Sequence, residues 1–341
     1  MTLRLPGLAD MHVHLRDGEM MKHVVPTVNQ GGVSVAYVMP NLVPPITTVD
    51  ACLKYKQVIE QLDPKTKYLM SLYLSPQITP QVIYEAAKRG VRGVKSYPKG
   101  ATTNSDGGVE SYEPFYATFA AMEETGMILN IHGEVPSSTS NDVFHAEPKF
   151  LPTLLDLHKR FPDLKIVLEH CSTQAAIEAV LNCGPSVAGT ITAHHMYITH
   201  KDWEIDPHCF CKPVAKTEKD RLALIEAATS GNPKFFFGSD SAPHPQSSKQ
   251  KSPPAAGVFT QAFEASYLAE IFDKKGCLDA LEGFACKFGR HFYDVPIEES
   301  TPTLILEKKP FTIPQLINDC LVPFRPLQIS NWQCRWEEGT L

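Results

Sequence analysis

Short apolar runs alternate along the chain with segments of helical period. Eight of these runs are rich in branched or aromatic residues and are bounded by turn residues, which is typical of buried strands in a parallel sheet. The predicted strands are Leu8–Met11, Val33–Met39, Tyr68–Leu74, Val91–Ser96, Met127–Ile131, Leu164–Leu168, Val187–Ala193 and Lys234–Phe237. Between them the pattern predicts amphipathic helices. These helices are Val49–Leu62, Thr79–Arg89, Pro114–Glu124, Lys149–Arg160, Thr173–Asn182 and Glu218–Ser230.

Strands that alternate with helices from end to end indicate repeated βα units. Eight such units predict a TIM (β/α)8 barrel, a fold that holds a chain of this length in one domain. The alternation breaks at Thr301 into short segments separated by proline, so residues 301–341 are interpreted as a C-terminal extension packed on the barrel of a single domain, 1–341. Residues 98–111 are too polar and too long for a simple connection and are interpreted as a lid.

Charge and hydropathy narrow the classes of partner. The 341 residues carry a net charge of -6 and contain no run rich in Lys and Arg, which argues against nucleic acid and membrane surfaces. A small molecule is therefore the expected partner. The sequence has no apolar run of about 18 residues and no basic segment followed by an apolar one, so we expect neither secretion nor a membrane span, and a cytoplasmic location.

The cysteines point to a reducing compartment. There are nine, none of them in a Cys-x-x-Cys pair, and most have apolar neighbours, so we expect reduced thiols. Cys209 and Cys211 suggest a zinc pair, but a second pair is missing from the sequence. We interpret these two residues as ordinary loop cysteines.

Polar residues follow the predicted strands at the end where catalytic groups of such barrels lie. His12 and His14 are two residues apart, so in a strand both point to one face and can reach one metal ion. With 13 histidines in 341 residues, one such pair is expected by chance about half of the time. Six residues that can bind or activate a metal lie at these strand ends: His12, His14, Lys95, His132, His170 and Asp240. Their coincidence at one rim favours a shared site over six unrelated core or surface residues.

Lys95 needs a separate interpretation, because an ammonium group is repelled by metal dications. It is a Schiff-base nucleophile with a lowered pKa, a structural cation at the barrel mouth, or a lysine carboxylated by carbon dioxide, which becomes an anion able to bridge two metals. Composition and spacing do not choose among these three. His194 and His195 end the seventh predicted strand, where adjacent side chains point to opposite faces, and we assign neither of them a role.

Several short motifs together resemble one enzyme family. They are His12–Gly18, Met39–Asn41, Lys95–Pro98 with Thr102–Asn104, Ile131–Glu134, Leu168–His170 and Gly238–His244. From Leu8 to about Val322 the chain resembles the dihydroorotases of the stand-alone bacterial and fungal type, within the amidohydrolase superfamily. Other amidohydrolases share the His-x-His pair and the final Asp, but lack the Thr-Thr loop and the Ser-Ala-Pro-His sequence after that Asp.

The resemblance implies a binuclear zinc site. His12, His14 and Asp240 would hold the first zinc ion, and His132 and His170 the second. Carboxylated Lys95 and a hydroxide would bridge the two ions. Zinc accepts such a set of nitrogen and oxygen ligands.

The resemblance also implies a site for a substrate carboxylate. Arg16 would bind it as a fork, joined by Asn41 and His244, in preference to a solvated salt bridge with Asp17. Two lid residues and two main-chain contacts complete the implied set: Thr102, Thr103, Lys212 and Ala256. Lys212 departs from the apolar residue common in bacterial members, which leaves the contribution of its side chain open.

The activity that the resemblance implies is the reversible hydrolysis of L-dihydroorotate to N-carbamoyl-L-aspartate, with Asp240 as the proton carrier and a homodimer as the assembly. Two other functions stay open. Another cyclic amidohydrolase, such as a hydantoinase or allantoinase, would keep the metals but not the carboxylate clamp. A non-catalytic amidohydrolase-like scaffold would not need all six metal-associated residues, which are present here.

Overall fold

The computed structural model of the protein describes residues 1–136 and 142–337. Its strands alternate with helices, as the sequence predicts. The strands are β1 (Thr2–Pro6), β2 (Leu8–Val13), β3 (Val33–Val38), β4 (Lys67–Tyr73), β5 (Gly93–Ser96), β6 (Ile128–His132), β7 (Ile166–Glu169), β8 (Val187–Ile191), β9 (Phe235–Phe237), β10 (Thr303–Glu307), β11 (Phe311–Thr312), β12 (Ile329–Ser330) and β13 (Gln333–Trp336). Strands β2 to β9 form an eight-stranded parallel sheet in chain order, and this confirms the predicted TIM (β/α)8 barrel.

Helices cover the outside of this sheet. They are α1 (Gly18–Val24), α2 (Pro26–Gln30), α3 (Val49–Leu62), α4 (Pro80–Lys88), α5 (Tyr116–Thr125), α6 (Ala146–Arg160), α7 (Gln174–Asn182), α8 (Ala193–Tyr197), α9 (His200–Trp203), α10 (Glu218–Thr229), α11 (Gln246–Lys249), α12 (Glu264–Lys275) and α13 (Phe288–Phe292). Helix α3 has the predicted bounds. Helices α4 and α7 each begin one residue later than predicted, because Thr79 and Thr173 accept backbone N–H groups as N-caps. None of the described helices has the length and apolar character needed to cross a bilayer.

The barrel closes where the first and last of its strands meet. The amide of Asp240 donates to the carbonyl of His12 at 2.8 Å, and the amide of His14 donates to the carbonyl of Ser241 at 3.1 Å. Val13 forms a parallel bridge with Ser241 between them. This seam joins the two ends of the sheet at the rim where the catalytic groups of such barrels lie.

Strand alternation divides the barrel interior into an apolar floor and a polar upper layer. Met11, Tyr37, Phe236 and Tyr293 belong to one buried apolar cluster at the floor. A second and larger cluster lies between the sheet and the surrounding helices. The polar side chains of the candidate site are therefore left at the carboxyl ends of the strands.

A β-bulge in β2 re-aims the first histidine. Asp10 pairs with Ala36 and Val13 pairs with Val38, so three steps along β2 correspond to two along β3. An extra residue of this kind changes which side chains point inward. Met11 and His12, although adjacent, can therefore both serve the barrel interior, the first in its floor and the second in its polar layer.

The C-terminal residues return to the start of the chain. Strand β10 pairs with β1 on one side and with β13 on the other, both in antiparallel register. Trp332 is completely buried and donates from Nε1 to Asp273, while Trp336 donates to the carbonyl of Asn29. The described part of the predicted extension is thus in contact with the rest of the chain, whereas residues 338–341 lie outside the described residues.

One local prediction is wrong. The seventh predicted strand ends at Ile191 rather than at Ala193, and His194 and His195 lie on α8 instead of at a strand end. The reason is that the Thr192 side chain accepts the amide of His195 and starts a helix at that point. Because both histidines lie on a helix, the argument from opposite strand faces does not apply to them, and both are buried.

Candidate active site

A cavity opens at the carboxyl ends of the barrel strands. Most of the residues predicted from the sequence line it: His12, His14, Arg16, Asn41, Thr102, Thr103, His132, His170, Lys212, Asp240 and Ala256. Tyr97, Ala242 and Gly257 complete the lining and were not predicted. Of the other two predicted residues, Lys95 is completely buried and His244 contacts Arg16. A larger cavity of about 660 Å³ is lined in part by the predicted lid, but contains none of the six candidate metal ligands.

Three of these ligands form a compact group. His12, His14 and Asp240 each offer an atom within 4.8 Å of the other two, and all three are buried. Nε2 of His14 lies 3.0 Å from Oδ1 of Asp240, and Nε2 of His12 lies 3.4 Å from the same oxygen. Two imidazole nitrogens therefore converge on one carboxylate oxygen.

The outer nitrogens of both rings have partners that fix their tautomers. Nδ1 of His12 lies 2.8 Å from Oε2 of Glu169, and Nδ1 of His14 lies 2.8 Å from Oδ1 of Asn41. The amide nitrogen of Asn41 already donates to the carbonyl of Thr103, so its oxygen must accept from His14. Burial lowers the pKa of both imidazoles. Each neutral ring thus donates outward from Nδ1 and directs the lone pair of Nε2 towards Asp240. A space enclosed by two lone pairs and a carboxylate oxygen favours a cation.

In the second pair of histidines, His132 repeats this arrangement. The rings of His132 and His170 have centroids 4.7 Å apart, and the ring of His12 lies 5.0 Å from that of His170. Nε2 of His132 donates to Oε2 of Glu134 at 2.8 Å, which leaves Nδ1 as the nitrogen with the lone pair.

Four buried polar atoms at the site have no hydrogen-bond partner within the described residues. They are Nε2 of His12, Nζ of Lys95, Oη of Tyr97 and Nδ1 of His170. Buried polar groups of folded proteins are nearly always paired, and a group left unpaired calls for a water or an ion. The donor set, consisting of imidazole nitrogens and a carboxylate, is one that zinc accepts. The residues therefore fit a metal centre.

Lys95 lies on β5 and is completely buried. Burial lowers the pKa of its ammonium group to about 8, although the charges of Glu169 and Asp240 oppose the change. Nζ lies 5.0 Å from the centre of the Tyr97 ring. A larger fraction of this amine is consequently neutral and nucleophilic at physiological pH than for a lysine in water.

Two carboxylates that orient histidines were not assigned roles from the sequence. Glu169 accepts from His12, and also from Thr190 and Asn130, while Glu134 accepts from His132. Partners of this kind set the tautomer and raise the basicity of a metal-binding imidazole. The available signal was their position, since each carboxylate lies within two residues of a candidate ligand.

Backbone strain is concentrated at the same rim. Arg16, His170 and Asp240 have φ values of 61°, 40° and 46°, a region that residues other than glycine seldom occupy. Such strain is common at active sites, where the surrounding structure imposes it. At His170 it turns the side chain into the barrel directly after Glu169, which also points inward.

A cationic group lies above the candidate ligands. Nε of Arg16 donates to the carbonyl of Pro243 at 2.9 Å, and one of its terminal nitrogens lies 3.1 Å from Nε2 of His244. The guanidinium therefore packs against the loop after β9 instead of pairing with Asp17. Burial, reinforced by the charge of Arg16, lowers the pKa of His244 to about 3, so this ring is neutral. The remaining N–H groups of Arg16 are available to the cavity that it lines.

The predicted lid covers this cavity. Oγ1 of Thr103 donates to the carbonyl of Ala256 at 3.4 Å, and the side chain of Asn104 donates to the carbonyl of Asn41 at 2.9 Å. Because Asn41 in turn donates to the carbonyl of Thr103, the lid and the loop after β3 hold each other in place.

Comparisons with known proteins agree with this geometry. Residues 3–286 match the model of the amidohydrolase family. The chain is 73% identical to a probable dihydroorotase of Schizosaccharomyces pombe, over 99% of this chain and 100% of that protein. It is 46% identical to a dihydroorotase of Saccharomyces cerevisiae, over 96% of both chains. The chain belongs to the dihydroorotase family of amidohydrolases.

A solved dihydroorotase has the same overall structure. The enzyme of Saccharomyces cerevisiae in complex with 5-fluoroorotic acid superimposes with a TM-score of 0.94 at 45% identity, covering 98% of this chain and 99% of that one. The resemblance inferred from short motifs thus extends over the whole dihydroorotase fold.

We expect Glu169→Gln to weaken metal binding in this protein by about 10–100-fold, because one end of the amide is an N–H donor, so it cannot accept both from His12 at one end and from Asn130 at the other. Competition with a chelator measures the affinity. Glu178→Gln, at an exposed position of α7, is the matched control and should leave the affinity unchanged. An unchanged affinity in Glu169→Gln would show that this carboxylate does not orient a ligand.

Proposed function

We propose that the chain catalyses the reversible hydrolysis of the cyclic amide of L-dihydroorotate to N-carbamoyl-L-aspartate, running towards ring closure in pyrimidine biosynthesis. The observation that carries the proposal is that Arg16 and a buried set of metal-ligand residues line one cavity. A guanidinium fork suits a ring carboxylate, and the ligand set suits hydrolysis of an amide. The high identity to dihydroorotases over nearly the whole chain supports the same reaction.

The proposed cofactor is a pair of zinc ions. His12, His14 and Asp240 would hold one ion, His132 and His170 the other, and a carboxylated Lys95 would be shared between them. When bound, the ions would supply a nucleophile from water at neutral pH and stabilise charge on the carbonyl oxygen. The unpaired inward atoms of His12, Lys95 and His170 support this assignment.

Carboxylation of Lys95 requires a neutral amine. With a pKa of about 8, about a tenth of the Lys95 amines are neutral at pH 7, whereas an unperturbed lysine is neutral in about three molecules out of ten thousand. The carboxylated side chain is an anion, so it would also remove the conflict between a buried ammonium group and metal dications. The lowered pKa disfavours a structural cation but suits a Schiff-base lysine equally well, so it is the second argument that favours carboxylation.

We expect Lys95→Ala to lose metal and nearly all activity, because the shared anionic ligand is removed. Small carboxylic acids that can take its place should restore part of both. Metal analysis and ring-opening assays with and without added acid measure the effect. The intact mass of the wild-type protein tests whether one carbon dioxide has been added. Full activity in protein whose mass lacks that addition would contradict carboxylation.

The carboxylate of the substrate would bind at the upper side of the cavity. Arg16 presents a fork there, Asn41 and neutral His244 lie beside it, and Lys212 and Ala256 also line the cavity. Thr102 and Thr103 would exchange their present contacts for contacts with bound substrate as the lid opens and closes. The direct contact of Thr103 with the Ala256 carbonyl supports this exchange, since a substrate at that part of the cavity would compete for it.

We expect Arg16→Lys to weaken dihydroorotate binding by about 10–100-fold, because lysine keeps the charge but loses the paired hydrogen bonds. The KM for dihydroorotate measures this, and zinc content should stay unchanged. Arg89→Lys, on the outer surface, is the control. Loss of zinc in Arg16→Lys would contradict the assignment of substrate and metal binding to separate residues. Turnover of neutral hydantoins but not of dihydroorotate by the wild-type protein would favour a hydantoinase instead.

Asp240 is the proposed proton carrier. Burial alone would raise the pKa of Asp240, but the nearby His14, His12 and Lys95 outweigh this effect and lower the pKa to about 2. The group is therefore ionised at neutral pH and can accept a proton from water as its oxygen attacks the carbonyl carbon. It then delivers that proton to the ring nitrogen as the C–N bond breaks.

The two directions of the reaction should depend on pH in opposite ways. Ring opening needs the ionised carboxylate of Asp240, so its rate should rise with pH through the lowered pKa of this group and level off above it. Ring closure must begin with the protonated form, so its rate should rise as pH falls towards the lowered pKa of Asp240. Initial rates in both directions over the same pH range test this, and identical pH profiles would exclude Asp240 as the carrier.

The two alternative functions are less well supported. A hydantoinase or allantoinase has no need for the carboxylate clamp formed by Arg16, Asn41 and His244. A non-catalytic scaffold has no need for six buried, converging ligand residues. The absence of zinc from purified protein under metal-replete conditions would revive the scaffold.

We further propose a cytoplasmic homodimer whose residues 301–341 are part of the barrel domain. All nine cysteines are free, which suits a reducing compartment. Pairing of β10 with β1 supports assignment of the extension to the same domain. The mass of the protein in solution tests the dimer.

A further inference from the structure

A second group of metal-ligand residues lies behind the candidate active site. His194, His195 and Cys211 each offer a ligand atom within 4.8 Å of the other two. The imidazole rings have centroids 4.6 Å apart, and Nε2 of His195 lies 3.8 Å from Sγ of Cys211. All three residues are essentially buried, with 0%, 1% and 1% of their surfaces exposed. No role in dihydroorotate hydrolysis has been assigned to them above.

His194 is the unusual member of this group. Both of its ring nitrogens are buried and neither has a hydrogen-bond partner among the described residues. A neutral imidazole presents one donor and one acceptor, and leaving both unpaired in the interior is unfavourable because each has lost its hydrogen bonds to water. Burial lowers the pKa of His194, so the ring is neutral and carries a lone pair. A buried, unpaired imidazole beside a second imidazole and a thiol is the environment that a metal ion would satisfy.

The spacing is compatible with zinc. In a tetrahedral zinc site with bonds of about 2.0–2.3 Å, neighbouring nitrogen and sulphur ligands lie roughly 3.3–3.6 Å apart. The observed 3.8 Å between Nε2 of His195 and Sγ of Cys211 is close to that range. The carbonyl oxygen of Pro213 lies 2.9 Å from this Nε2 and 3.1 Å from this Sγ, at the position of a fourth ligand.

We propose that His194, His195 and Cys211 form a third zinc site, separate from the binuclear centre. Its ligand set of two imidazoles and one thiolate is softer than the set of imidazoles and carboxylates in the active site, and thiolate ligands favour zinc among the common divalent ions. The Cys209 and Cys211 pair is therefore not the relevant motif. Cys211 acts with two histidines that precede it by sixteen and seventeen positions, while Cys209 contacts Asp206 instead.

Protons balance when zinc enters this site. Cys211 releases its thiol proton to solvent as the Zn–S bond forms. The proton on Nε2 of His195 moves to Nδ1, where Oγ1 of Thr192 lies 2.8 Å away and accepts it. The contact of Nε2 with Pro213 is given up in exchange for the metal bond.

Two lysines influence the thiol. Burial and the charge of Asp240 raise the pKa of Cys211, while the charges of Lys249 and Lys216 favour its thiolate. Lys249 donates to the carbonyls of Phe210, Ala255 and Gly257, so its ammonium group is occupied and stays in place. These cations oppose entry of a dication, but they also stabilise the anionic ligand that holds it.

The site has a direct structural link to the substrate cavity. Cys211 immediately precedes Lys212, which lines the candidate active site. The same loop is held by Lys249 against Ala255 and Gly257, neighbours of Ala256 in that lining. Zinc bound to Cys211 would therefore fix one wall of the substrate cavity.

Cobalt substitution tests the site independently of activity. None of the six candidate ligands in the active site is a cysteine, so a thiolate-to-cobalt charge-transfer band reports on the third site alone. We expect this band in the cobalt-loaded wild-type enzyme, and we expect a third equivalent of zinc in the zinc-loaded enzyme. Cys211→Ser should lose the band and the third equivalent while retaining the other two. Cys209→Ser, two residues away, is the matched control and should behave as the wild type.

The outcomes separate this proposal from the proposed function. A band that is absent from wild type, or that persists in Cys211→Ser, overturns the third site whether or not dihydroorotate is hydrolysed. A band without hydrolysis supports the third site and contradicts the proposed function. If Cys211→Ser does not fold, His194→Asn serves in its place. We expect it to weaken cobalt binding at this site by more than about 100-fold, beyond the loss caused by residues that only orient a ligand, and unchanged binding overturns the proposal.

Discussion

The candidate site depends on the contact between the first and last strands of the barrel. His14 and Asp240 are separated by 226 positions in the sequence, yet their side chains lie 3.0 Å apart. Main-chain hydrogen bonds of β2 with the segment after β9 hold them there, and the buried carboxylate of Asp10 accepts both the amide and the hydroxyl of Ser239. Because both strands carry metal-ligand residues, closing the barrel and assembling the first ligand group are one event.

Electrostatics explains how so many polar groups are kept together in the interior. The imidazoles are neutral because burial lowers their pKa, and their outward nitrogens donate to Glu169, Asn41 and Glu134. What remains at the centre is a set of lone pairs, one ionised carboxylate and the unpaired amine of Lys95. This arrangement is costly without a metal ion, since lone pairs face one another and the amine lacks a partner in a medium of low polarity. The polar groups at the strand ends therefore lower the stability of the fold and favour binding of a metal ion. The strained backbone of His170 and Asp240 is a second unfavourable feature at the same place.

The fold was predictable because its signals are local. A buried parallel strand appears in the sequence as an uninterrupted apolar run, and an amphipathic helix appears as a period of three to four, so α3 has the predicted bounds. Where a single side chain competes with the run, the prediction was wrong. Thr192 caps a helix and thereby moves His194 and His195 from a strand end into the buried group that also contains Cys211. The pairing of β10 with β1 joins opposite ends of the chain, and no local pattern indicates such a partner.

The sequence by itself determined which residues reach the rim of the barrel, because parallel strands in a βα repeat all end on one side. Short motifs then determined the enzyme family. Only the tertiary structure decided how the ligands face one another: the bulge in β2 turns His12 inward next to Met11, and the positive φ of His170 turns it inward next to Glu169. Strict alternation would send one member of each pair outward. The same is true of the carboxylates that fix the tautomers, since a hydrogen bond between residues far apart in the chain follows from closure of the sheet and not from any local preference of the backbone.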